Sequence, residues 1–133
     1  MPKFLVTYLI TAPVFLFIDL IWLNLTSQAV YKKYIGHLMT DKPNLLAALI
    51  FYLLFTVGLI IFSIDPALHK DSFKTALILG ALFGFFTYAT YDLTNFATLK
   101  NWPFAVVVID ILWGSFVCAL VSVISFFIMK RLS

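Results

Sequence analysis

Three aspartates occupy the least accommodating positions in this chain. Asp19, Asp92 and Asp110 each interrupt a long apolar run. A charged Asp at the centre of a membrane helix costs at least about 2.5–3.5 kcal/mol on insertion scales. A proton, a cation, a polar partner or water must offset that cost. Carboxylates in such a setting bind protons or cations, and paired carboxyls also perform general acid–base chemistry. Two of the acids share one short pattern: Ile18-Asp19-Leu20-Ile21-Trp22 and Ile109-Asp110-Ile111-Leu112-Trp113 both read Ile-Asp-x-x-Trp. Residues three apart share a helix face. Each acid is therefore expected beside the indole N–H of its own helix, Trp22 or Trp113, a donor suited to a carboxylate. Asp92 has Asn95 at the same spacing.

The composition says what must position these residues. Of 133 residues, 63% are hydrophobic and only 11% charged, and 15 are Phe. Mean hydropathy is +1.06. An average soluble domain carries about 25% charged residues, and a soluble chain this small cannot hide so much apolar surface. A water-soluble domain, a disordered chain and a nucleic-acid binder are excluded, which leaves an integral membrane protein surrounded by lipid. Four segments match the roughly 20 apolar residues that a spanning helix needs: about 4–25, 44–64, 75–99 and 104–129. They are too long for strands, and so few strands would not close a barrel. The expected fold is all-α, an integral membrane four-helix bundle forming one transmembrane domain over 1–133.

The connections are short. Ser27 to Pro43 mixes Tyr31, Lys32, Lys33, Tyr34 and His37 with apolar residues and reads as an interfacial helical turn. Asp65 to Asp71 reads as a turn. Only Lys100-Asn101-Trp102-Pro103 joins the last two spans, with Pro103 suited to open the fourth helix and Trp102 to the headgroup level. Lys3, Lys70, Lys74, Lys130 and Arg131 fall on one side of the membrane, and Lys32, Lys33, Lys42 and Lys100 on the other. That bias favours cytoplasmic termini.

Depth follows from about 1.5 Å of rise per residue. Asp92 lies roughly 12 Å below Lys100, Asp110 roughly 10 Å below Pro103, and Asp19 roughly 12 Å below Ser27. All three acids therefore share one leaflet, on the side of the first and third loops, whichever side is cytoplasmic. At close range they cannot easily all carry charge. Gly80, Gly84, Tyr88 and Asp92 follow one another at four-residue steps, a small-residue seam leading to the acid. Asp110, Gly114, Cys118 and Ser122 form a similar ridge on the fourth helix. The acids should then face protein, with Asn24, Asn95 and Tyr88 as hydrogen-bonding neighbours and Lys100 able to reach down and neutralise one of them. The Gly80/Gly84 face is also a candidate homodimer contact.

No cofactor, metal signature, phosphate loop or nucleophile motif is evident. Cys118 stands alone, so no intrachain disulfide is possible, and it reads as a small packing residue. His37 and His69 lie in loops on opposite sides and cannot share one haem.

The stretches Phe17 to Leu23, Ala89 to Pro103 (Tyr91-Asp92-Leu93-Thr94-Asn95 above all) and Ile109 to Gly114 resemble a family of small bacterial membrane proteins catalogued as a domain of unknown function. The resemblance spans nearly the whole chain. It implies a four-helix protein of the bacterial inner membrane and supplies no activity or catalytic residues.

Three functions remain open. The first is an intramembrane site at Asp19, Asp92 and Asp110 that binds or translocates a proton, a cation or a cationic small molecule, shaped by Trp22, Trp113 and Asn95. The second is a lipid-binding or lipid-modifying enzyme or accessory subunit, with the acids facing a lateral opening. The third is a structural partner of a larger membrane complex, in which buried polar groups act as interhelical glue worth about 0.6 kcal/mol each. The lack of a cofactor motif leans away from an autonomous enzyme.

Overall fold

The structure, a computed structural model, describes residues 2–133. It is an all-α bundle with four helices long and apolar enough to cross a membrane. We label them α1 (Lys3–Thr26), α2 (Leu45–Leu59), α3 (Phe73–Thr98) and α4 (Phe104–Leu132). Their outer faces are covered by exposed Leu, Ile and Phe, among them Leu9, Phe17, Leu54, Phe86 and Leu112. Lipid tails are the solvent that suits such a surface.

Local chemistry sets the ends. Asn44 Oδ1 caps α2 by accepting from Ala47 N at 3.0 Å, and Ser72 Oγ caps α3 by accepting from Thr75 N at 3.2 Å. The two tight reversals use Asp71 (φ 50°) and Asn101 (φ 61°), residue types whose short polar side chains tolerate left-handed backbone. Lys130 and Arg131 sit in the last turn of α4, where cations meet the negative end of the helix dipole.

Two spans are longer than their apolar runs. In the first, α1 ends at Thr26 and helical structure continues through a π-helical segment, Ser27–Lys32, a helical turn at Lys33–Ile35 and a 3-10 turn at Gly36–Leu38. The second continues from α2 through a π-helical segment, Ile60–Ile64, into a short helix, Asp65–Lys70. The expected turn at Asp65 is therefore helical, and the reversal is confined to Asp71 and Ser72. Physical causes are visible at both places. Thr26 and Thr56 each donate their hydroxyl to a carbonyl four residues back, Trp22 O and Tyr52 O, both at 2.7 Å. Such bonds loosen and bend the backbone ladder that follows. Pro66 also lacks an N–H and crowds the carbonyl four residues before it, and a wider turn relieves both problems.

The α3–α4 hairpin is the spine. A Cβ added to Gly84 would collide with the carbonyl of Gly114, and one added to Gly80 would lie 2.7 Å from Cys118 O. The small-residue seam thus packs inside one chain. Both glycines, the face considered for pairing two copies, are buried against α4 of the same chain. Gly114 in turn leaves room for the Tyr88 ring. Away from the acids, hydroxyl pairs tie the bundle together. Thr11 Oγ1 donates to Ser125 Oγ at 3.0 Å, and Ser63 Oγ to Ser122 Oγ at 2.9 Å, all four residues being buried. Lys130 and Asp71 form an exposed ion pair at 2.5 Å, a kind that contributes little.

Gly84→Ala should destabilise the bundle by about 1–3 kcal/mol or more, because its clash is with backbone that cannot turn aside. Gly36→Ala, whose Cβ meets nothing closer than 3.9 Å, should change stability by less than about 0.5 kcal/mol. Unfolding of the two variants in detergent, followed by circular dichroism, checks the contrast.

Candidate functional site

Asp19, Asp92 and Asp110 are all buried, at 8%, 0% and 7% exposure. They divide into two roles by position. Asp19 and Asp110 face a common cavity of about 510 Å³, within the size range of small-molecule sites. Asp92 lies outside its lining, beside Asp110 and Trp102. Neither oxygen of Asp92 has a hydrogen-bond partner, and nor does the buried Trp102 Nε1. Among the described residues, no three Asp, His or Cys side chains converge closely enough to hold a metal ion.

All four spans build the cavity. Trp22 and Leu23 of α1 stand next to Asp19, and Tyr31 enters from the π-helical segment. Phe51 and Phe55 come from α2, Thr87, Tyr88 and Tyr91 from α3, and Trp113 from α4 with Asp110. Seven of the lining residues are aromatic, two are acidic, and none is basic.

The indoles do not serve the acids of their own helices, as the Ile-Asp-x-x-Trp pattern led us to expect. Trp113 Nε1 donates to Asp19 Oδ1 at 3.3 Å. Trp22 Nε1 donates to Tyr31 Oη at 3.1 Å, and Tyr31 Oη donates to Asp110 Oδ1 at 2.5 Å. The two rings stack with centroids 4.2 Å apart and 6° between their planes. Trp113 Nε1 thus crosses to the acid of α1, whereas Trp22 Nε1 bonds within its own span to Tyr31, whose hydroxyl carries the link to Asp110 of α4. Tyr52 Oη completes the set by donating to Asp19 Oδ2. The two acids are therefore linked through two stacked indoles and one tyrosine, Tyr31, with Tyr52 bonded to the Asp19 end.

Several expected neighbours stay outside. Asn24 and Lys100 are exposed, and Lys100 pairs with no acid. Asn95 is half-buried but does not line the cavity. Trp102, in the connection between α3 and α4, is buried at 7% exposure with Val106, Val107 and Tyr31 around it. Tyr88 does line the cavity, with its ring edge-on to Phe55 at 6.2 Å.

The sequence reading missed Tyr31 and Tyr52. Tyr52 lies eight residues beyond Asn44, roughly 12 Å deep and level with the acids. It is a polar-tipped ring in a span without charge, and that signal was available. Tyr31 had none, since its entry depends on the π-helical segment.

Fold and cavity together define a helical membrane protein with four candidate spans and an aromatic cavity that two acids line. The chain belongs to the family described as "Predicted membrane protein (DUF2177)", which matches residues 4–127. No curated protein and no solved structure matches it.

Tyr52→Phe removes one of two direct donors to Asp19 and should cost about 1–3 kcal/mol, the range for a hydrogen bond to a buried charged or polar acceptor. Reversible unfolding in detergent, compared with the unaltered protein, measures it.

Proposed function

We propose that the protein binds a small organic cation in the cavity between Asp19 and Asp110. One observation carries this reading: two carboxyls face a cavity whose wall is otherwise mainly aromatic and contains no Lys, Arg or His. Negative charge without a basic partner in a low-dielectric setting favours either protons or a cation. Aromatic faces add attraction for a cation within about 6 Å of a ring centre, most of all for quaternary ammonium groups, which such cages recognise. Inorganic cations prefer oxygen-rich coordination, and this lining offers too few oxygens in one place.

Proton exchange gives the site a means of coupling. A cation entering between the acids replaces a proton held on one of them and preserves the net charge of the cavity. Asp92, behind Asp110 and without hydrogen-bond partners, is placed to accept or return that proton. The reading sets the protein in the bacterial cytoplasmic membrane with both termini inside, so that the cavity lies in the outer leaflet. Reporter fusions at the two termini and in the Ser27 to Pro43 segment test the orientation, with only the last expected outside.

Tetramethylammonium binding to the protein in nanodiscs, read by quenching of Trp22 and Trp113, tests the site. Asp110→Asn and Asp19→Asn should each weaken binding by about ten-fold or more, the scale of one lost charge contact of roughly 1.4 kcal/mol. Infrared difference spectra should show a carboxyl band changing on cation addition and absent from the matching variant. Unchanged affinity in both variants would sink the proposal.

A further inference from the structure

A second depression adjoins the cavity and has a different character. It holds about 370 Å³ and is lined by Phe62, Leu79, Leu82, Phe83, Phe86 and Thr87. Apart from the Thr87 hydroxyl it is entirely apolar. That hydroxyl is turned to its own helix, donating to Phe83 O at 2.8 Å. Thr87 also lines the acidic cavity, so the two spaces adjoin at this residue. From Thr87 to Leu79 the groove follows α3 for roughly 12 Å, away from the level of the acids and toward the opposite membrane face.

The side of the cavity is open as well. Residues Leu45 to Phe51 are exposed on every face of nearly two turns of α2. On this half, α2 stands clear of α3, and Tyr91 across the gap is 57% exposed. The two elements close only lower down, where Phe83 lies against both Phe55 and Phe62, with ring centres 5.1 and 6.0 Å apart. Gly58 allows that closure, since a Cβ there would come within 2.9 Å of Phe83 Cζ. A molecule dissolved in the bilayer can reach the acids sideways between α2 and α3 without crossing water.

We infer that the ligand is a single-chain cationic amphiphile taken from the surrounding leaflet, its ammonium head between Asp19 and Asp110 and its alkyl tail in the groove beside Thr87. This rests on the cation-binding reading above and names the class of cation. Two features favour it over a small water-borne cation. The acidic cavity and the apolar groove share Thr87 as a common wall. The opening faces hydrocarbon, where amphiphiles concentrate and small hydrophilic cations do not.

The test uses dodecyltrimethylammonium carrying a photoactivatable diazirine at the end of its tail, in nanodiscs at fixed probe-to-lipid ratio. Crosslinks are mapped by mass spectrometry, and tetramethylammonium binding is measured in parallel by calorimetry. Crosslinks should concentrate on Leu79, Leu82 and Phe86. Excess tetramethylammonium and Asp110→Asn should each reduce them about ten-fold. Leu79→Trp, which fills the groove away from the acids, should reduce them similarly while tetramethylammonium affinity stays within about two-fold. Crosslinks scattered over the lipid-facing surface, with tetramethylammonium still bound, would overturn the amphiphile assignment and leave the cation site standing. Failure of tetramethylammonium to bind as well would overturn both.

Discussion

Contact between two backbones governs this bundle. Where Gly84 passes Gly114, α3 and α4 approach more closely than any side chain allows. Membrane helices gain little from burying apolar surface, because lipid is equally apolar, and depend on close packing and polar contacts instead. The glycine contact supplies the packing and fixes the rotation of both helices. Asp92 and Asp110 then turn toward each other, and the Tyr88 ring fits over Gly114. α1 and α2 are added to that spine by hydroxyl pairs in one leaflet and by the Asp19 hydrogen bonds in the other.

Placing acids inside a bilayer is costly, and the molecule offsets the cost unevenly. Asp19 receives two donors and Asp110 one, and each has a small residual exposure to the cavity. Asp92 receives none and is sealed. A group buried without partners in a protein of this size is retained against a stability cost of about 1–3 kcal/mol. That unevenness separates two acids equipped to meet a ligand from one that can act only through its neighbour.

Much of the fold was legible because membrane helices announce themselves by length and hydropathy. The common depth of the three acids followed from counting residues to Ser27, Lys100 and Pro103, and the structure draws Asp19 and Asp110 to one cavity as that depth allows. Rotation about each helix axis was not legible. The Ile-Asp-x-x-Trp spacing places an indole on the face of its acid, but in the stacked pair Trp113 Nε1 reaches Asp19 of α1 and Trp22 Nε1 reaches Tyr31 rather than Asp19. The small-residue seam was legible from its four-residue spacing, but spacing alone does not say which helix fills it; in the structure that helix is α4. Tyr31 was hidden for another reason: Ser27 to Pro43 reads as an interfacial helical turn, and the direction in which Tyr31 faces depends on the phase set by the π-helical segment before it.

That π-helical segment has a consequence for how the sequence can vary. A π turn holds one residue more than an α turn, and one residue corresponds to about 100° of rotation. Everything beyond Ser27–Lys32 is set in phase by that extra residue. Removing one position between Thr26 and Tyr31 would restore a regular helix, swing the Tyr31 hydroxyl away from Asp110 and leave Trp22 Nε1 without its acceptor. Ser27, Gln28, Ala29 and Val30 make none of the side-chain hydrogen bonds of the cavity; what they give it is their number, so in this stretch the information is carried by length.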